Sequence, residues 1–229
     1  MSIRVTPLRA ALLGAAIVVA GAVAFVLVAR SEPPPDRGPV IARAGGTPIY
    51  LADARARVAG LSSVHGDISE TLGEDWPDKV LQSLVDNVII ERAAEDAGIT
   101  LSDQQVEQGV NKLRSDFSTE AEFEAWLEKQ GADIPELERR IRLQLLSSRV
   151  YFDVTRDVTA SNDEIRAYYK EHVDDYTANG RVTPLLEVRN DIEETLDQRD
   201  KDRAFADWLD QQRSLLSSVV VMEDWWRRV

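Results

Sequence analysis

"LQSLVDNVIIERAAEDAGITLSDQQVEQGVNKLR", residues 81–114, decides the fold. Val80, Leu81, Leu84, Val85, Val88 and Ile89 recur three and four positions apart. That spacing draws a wide apolar stripe along one helix, the signature of a central core element. Asp75 and Pro77 open the helix, and Gly98 with Ile99 behind it closes it in a Schellman-type stop. Ser102 and Gln105 then form a capping box ahead of Val106, Val110, Leu113 and Phe117. Helix, glycine stop and capped helix follow one another within a single stretch.

The same punctuation continues towards the C-terminus. Thr119 with Glu122 forms another capping box, followed by Phe123, Trp126 and Leu127 and stopped at Gly131. Asp133, Pro135 and Glu136 open a longer one with Leu137, Ile141, Leu145 and Val150. Ser161 and Glu164 form a further box leading through Ile165 and Tyr169 to Tyr176. Thr183 and Pro184 begin the last helix, which bears Leu185, Ile192, Leu196, Phe205, Trp208, Leu209 and Leu216. In its middle "DQRDKDR", residues 197–203, has no apolar group, so those turns are solvated or the helix breaks there.

Towards the N-terminus, Val40–Ala44 and Pro48–Leu51 read as short strands about a Gly45-Gly46 turn, with a helix from near Ala52. Residues 61–75 read as polar and irregular. "VVVME", residues 219–223, reads as a buried strand pairing with the first two, which brings the ends of the domain together.

Residues 10–29 carry no charge, and twenty helical residues span about 30 Å, the thickness of a bilayer's hydrocarbon core. Arg4 and Arg9 precede them, which predicts a cytoplasmic N-terminus and a single pass through the inner (cytoplasmic) membrane. Cleavage after Ala22-Val23-Ala24 competes, but the apolar run continues beyond it and favours an uncleaved signal anchor. "SEPPPDRGP", residues 31–39, is a stiff spacer. Beyond residue 29 the remaining 25 of the 27 basic groups face all 40 acidic ones, a surface that repels nucleic acid. With no cysteine, disulfides and thiolate metal sites are excluded.

Reactive constellations are scarce. His65 and His172 lack a second histidine or a nucleophile pattern beside them and read as surface residues. H-E-x-x-H, G-x-S-x-G and S-x-x-K are absent, and the Gly45-Gly46 pair lacks the spaced glycines and lysine of a phosphate loop. No catalytic residue, cofactor or metal site is expected. The aromatics Trp76, Trp126, Tyr168, Tyr169, Tyr176, Trp225 and Trp226 have two readings. They pack element ends together, or they form an amphipathic surface that grips apolar segments of another polypeptide.

The order of these elements resembles that of the SurA-type periplasmic chaperones, a family that includes parvulin-bearing peptidyl-prolyl isomerases. "VIARAGGTPIYLADARARVA" resembles that family's opening hairpin and helix, and residues 81–114 its central pattern. "ASNDEIRAYYKEHVDDY" is similar to the helix before the isomerase domain, and "RVTPLLEVRNDIEETL", "FADWLDQQR" and "VVVM" to the segment after it. Leu51 departs from the pattern, since the family usually places a capping Ser or Thr there. A parvulin domain has about a hundred residues, an ordinary small-domain size. Here Thr177 to Thr183, seven residues, bridge the point where it would sit.

The resemblance therefore implies a mainly α fold: an N-terminal transmembrane helix, then a SurA-N-like helical chaperone domain. A small two- to three-stranded sheet joins its N- and C-terminal segments. The divisions are 1–30 stub and anchor, 31–39 linker, 40–176 helical chaperone domain, 177–183 bridge and 184–229 C-terminal completion. The implied role is a membrane-anchored extracytoplasmic holdase for unfolded or exported polypeptides, without the catalytic parvulin domain. A dedicated assembly partner of one membrane-protein complex is the alternative reading, and prolyl isomerisation by family name a third.

Overall fold

The computed structural model describes residues 37–178 and 180–229. Among them no helix is long and apolar enough to cross a membrane, and the apolar segment 10–29 lies outside the described residues. Contacts divide the chain into two units, one running to Val150 and resuming at Gln211–Val229, the other Tyr151–Asp210.

The first unit begins with an antiparallel hairpin, β1 (Val40–Ala44) and β2 (Thr47–Tyr50), in which Ala42 faces Ile49 and Ala44 faces Thr47. The turn requires glycine. Gly45 has φ +54, and a Cβ there would lie 2.3 Å from the Arg92 guanidinium and 2.5 Å from Leu216. Arg92 uses that space to donate to the Gly45 carbonyl at 2.6 Å and to Thr47 Oγ1 at 3.1 Å. From the other end of the chain β5 (Ser218–Val220) adds antiparallel to β1, giving the order β2-β1-β5. The sheet thus joins the N- and C-terminal segments, as the sequence implies.

Helix α1 (Leu51–His65) starts without the usual Ser or Thr. Asp53 takes over that function: its Oδ2 accepts the Tyr50 N–H at 2.8 Å, while Arg37 pairs with its Oδ1. Leu51 is thereby free to turn into the core. The stretch 61–75, expected to be irregular, is instead largely helical. α1 runs through its first part, and α2 (Ile68–Leu72) is capped by Asp67, whose Oδ1 accepts the Ser69 N–H at 2.8 Å. A good local cap outweighs polar composition there.

α3 (Trp76–Asp96) is the central helix. It ends in the expected stop, with the Ile99 N–H on the Ala94 carbonyl at 2.8 Å and the Gly98 N–H on that of Glu95 at 3.0 Å. Its Val80, Leu84 and Val88 pack with Ile41, Ile49, Leu51, Ala54 and Trp225 in one apolar core. Full burial of such aliphatic side chains stabilises by about 1.5–3 kcal/mol each. A second cluster joins α4 (Asp103–Arg114), α5 (Glu120–Lys129) and α6 (Ile134–Thr155), through Val106, Val110, Phe123, Leu127, Leu137 and Ile141. α4 and α6 approach closely because Gly109 has no side chain: a Cβ would meet Ile141 Cγ2 at 2.5 Å.

In the second unit α7 (Asn162–Glu171), a 3-10 turn (Val173–Tyr176), the small hairpin β3 (Thr177–Ala178) and β4 (Arg181–Val182), and most of α8 (Leu185–Leu215) enclose Ile165, Ile192 and Leu196. The bridge is therefore a closed turn. Thr177 faces Val182, and the Thr183 N–H donates to the Tyr176 carbonyl at 2.8 Å. α8 runs unbroken through the apolar-free residues 197–203. Polar contacts on both sides carry it: Asp197 accepts the Ala160 N–H at 2.7 Å, and Asp202 accepts the Tyr151 hydroxyl at 2.9 Å and Gln198 at 2.8 Å. Arg199 pairs with Asp200 at 2.9 Å along the same turns.

The Ser161–Glu164 box opens α7 reciprocally, with the Glu164 N–H on Ser161 Oγ at 3.2 Å and the Ser161 N–H on Glu164 Oε2 at 2.7 Å. Replacing Ser161 by Ala is expected to destabilise this helix by about 1 kcal/mol. Faster amide exchange confined to α7 would show it, and unchanged exchange there would refute it.

Candidate polypeptide-binding surfaces

The seven candidate aromatics fall into different environments. Trp225 lies in a 3-10 turn (Trp225–Arg228), is only 2% exposed and meets Trp76 edge-on, with ring centroids 6.0 Å apart. That pair closes the first core. Its neighbour Trp226 points outward at 38% exposure, with the Arg227 guanidinium 4.9 Å from its ring centre. Trp126 packs against Phe117 and Phe123 on the second cluster.

The tyrosines belong to the second unit. Tyr168 stacks on His172 with centroids 4.0 Å apart, and the His172 Nδ1 lies 2.9 Å from the Tyr168 carbonyl, so that nitrogen carries the proton. Tyr169 stacks on Tyr176 at 5.5 Å and donates its hydroxyl to the Thr183 carbonyl at 2.7 Å. Both pairs brace the helix-to-bridge corner and leave the rings half-buried. Structure thus brings Trp76 to Trp225 and Tyr169 to Tyr176.

The most exposed apolar run is one that sequence reasoning placed inside. Val219, Val220 and Val221 are 61%, 48% and 56% exposed. The expectation of a buried strand at 219–223 is corrected: β5 is an edge strand whose side chains stay exposed. Three adjacent β-branched residues signal a strand, but only the sheet order shows whether it is central or marginal. In the second unit Phe152 and Leu186 are likewise exposed.

Electrostatics concentrate in the first unit. Burial raises the Asp53 carboxyl pKa against the pull of Arg37. Burial also pushes Glu91 up to about 8, opposed by Arg37 and reinforced by Asp53. Glu136 is raised by burial too, against hydrogen bonds from Arg139 and Arg140. Arg57 is lowered to about 10 by burial, with Asp86 opposing. Asp53 pairs with Arg37, Glu136 with Arg139 and Arg140 of its own helix, and Arg57 of α1 donates to Ser83 Oγ of α3 at 3.1 Å. Among the described residues no group of three or more metal-ligating side chains is placed to hold an ion.

Comparison with known proteins agrees with this architecture. The family model for the SurA-like N-terminal domain matches residues 8–151. The foldase protein PrsA of Clostridium acetobutylicum is 28% identical over 145 residues, 59% of this chain and 44% of that protein. The match therefore spans less than half of that relative's length. Among solved structures, a chain from the pair formed by the virulence factor PEB4 and the periplasmic protein Cj1289, two structurally related SurA-like chaperones of Campylobacter jejuni, superimposes with a TM-score of 0.55. That superposition takes in 80% of this chain and 98% of the other at 11% identity, a likeness of fold. With its hairpin, glycine-stopped central helix and capped successor in place, and with the family model matching more than half of its length, the chain belongs to the SurA-like N-terminal domain family.

Proposed function

We propose that the protein is a chaperone-like holdase that binds unfolded or newly exported polypeptides, tethered to the inner membrane through residues 10–29. The N-terminus lies in the cytoplasm and the folded units on the periplasmic side. Membership of the SurA-like family carries this reading. The uncovered valines of β5, with Trp226 nearby in sequence, supply apolar surface for weak, rapidly exchanging contacts. The pairing of Thr177 with Val182 supports reading the bridge as a short connection rather than a parvulin domain.

The full chain in lipid nanodiscs is expected to slow aggregation of a chemically unfolded outer-membrane protein at a few-fold excess. Failure to slow it at any excess refutes the holdase reading. Affinity capture from solubilised membranes separates the second reading. A spread of substoichiometric clients supports the holdase, and a single stoichiometric companion points to a dedicated partner of one membrane-protein complex.

A further inference from the structure

β5 is a short sheet margin that carries neither charge nor proline. The Gly45 N–H donates to the Ser217 carbonyl at 2.7 Å, and the Val221 N–H to the Ile41 carbonyl at 2.8 Å. In an antiparallel ladder inward- and outward-directed residues alternate. The backbone groups of Ser218 and Val220, between those two bonds, therefore face away from β1 along the free edge. Side chains alternate along β5, so Val219 and Val220 lie on opposite faces, and the exposed Val221 follows at a bend.

Natural edges are blunted by shortness, bulges, lysine, proline or inward charges, and of these β5 shows only its three-residue length and the doubled Val221 and Met222 contact with the Ile41 carbonyl. The opposite margin, β2, carries Pro48, which has no N–H to offer. Residues 217–222, "SSVVVM", contain neither charge nor proline. One edge of the sheet lacks a donor at Pro48, and among the described residues no strand pairs with the other. The chain's net charge of −13 argues against a second copy as the occupant, since two such acidic bodies repel.

We propose that the outer edge of β5 is a strand-docking site, to which an extended polypeptide segment, apolar at alternate positions and without net negative charge, adds as a fourth strand. Backbone hydrogen bonds to Ser218 and Val220 give affinity independent of the client's exact sequence. The valines select β-branched and other apolar side chains. This rests on the holdase reading for the class of occupant, and it names the surface that does the holding.

The test uses the full chain in nanodiscs and a fluorescent nonapeptide of alternating Val and Thr with a Lys at each end. A fully N-methylated version of that peptide keeps the side chains but loses the donors. Binding is expected for the first, with at least about tenfold weaker binding for the second. Val220→Pro removes an outward N–H and should weaken binding by about tenfold or more. Val220→Lys, which keeps that N–H and guards the edge, should do the same. Amide exchange at Ser218 and Val220 should slow when the peptide binds. Equal affinity for both peptides, or unchanged exchange at these two amides, overturns the proposal even if Val220→Pro fails to fold. Dimers that Val220→Pro dissociates, with no peptide bound, assign the edge to a second copy and also overturn it. Wild-type protection of the aggregating client by a folded Val220→Pro chain defeats the strand site alone. Absence of protection by the unmodified chain defeats the holdase reading itself.

Discussion

Arg213→Ala should lower the stability of the first unit by about 3–5 kcal/mol, the usual cost of stranding one member of a buried ion pair. Arg213 grips Asp86 with both arms of its fork, Nε to Oδ1 at 2.6 Å and a terminal nitrogen to Oδ2 at 2.8 Å. Asp86 is buried on α3, beside the apolar stripe. Without the guanidinium Asp86 loses its bidentate partner, and its desolvation is offset less fully although the Arg57 charge still acts on it. The pair also sets the last turns of α8 against α3, just before β5. Arg213→Lys keeps the charge but not the fork, and should cost less, roughly 1–2 kcal/mol. Urea unfolding followed by tryptophan fluorescence reads the first unit through Trp76, Trp126 and Trp225. An Arg213→Ala midpoint within error of the parent would show that the pair contributes nothing.

The second large effect depends on pH. Glu91 is held by burial at a pKa of about 8, against 4.5 for an unhindered glutamate. Between those values the folded chain keeps a proton that the unfolded chain has released. The native state thus binds more protons, and stability falls as pH rises through the window. The slope is about 1.4 kcal/mol per pH unit for a single group, on the order of 5 kcal/mol across the whole range. Below about 4.5 the contribution is intact, and above about 8 the loss is complete. Glu91→Gln keeps the shape and removes the titration. It should match the parent near pH 4.5, exceed it increasingly up to about pH 8 and hold that margin beyond. Asp53 and Glu136, also raised by burial, leave a residual slope in both proteins, so the difference between the two curves isolates Glu91. Parallel curves from pH 5 to 9 would rule out a buried acid at this position.

Much of this architecture was legible in the residues because its signals are local. The stop at Gly98, the boxes at Ser102 and Ser161 and the turn at Gly45 are each decided within about six positions, and each stands where the spacing puts it. At Thr119 the reading was half complete. Thr119 Oγ1 does accept the Glu122 N–H, but the Glu122 carboxylate reaches past it to the Ser118 N–H at 3.0 Å. What stayed hidden is set by distant partners. Trp225 and Trp226 are neighbours of one residue type, yet one is in the core and the other at the surface, because Trp76 waits on one side only. The buried acids were invisible for the same reason. Nothing in "VIIERAA" distinguishes Glu91 from a solvated glutamate until the fold buries it, with Asp53 and Arg37 brought to it from 38 and 54 positions upstream.

The hairpin at the bridge has a further consequence. Its two strands place residues 177 and 182 opposite each other at the surface, so the chain departs from the second unit and returns to it at adjoining points. A folded cassette whose own termini lie close together can be spliced between residues 178 and 181 without prising Ile165, Ile192 and Leu196 apart. Excision at the same point leaves only a short scar. Acquisition or shedding of an entire module there is thus nearly silent for the packing beneath it.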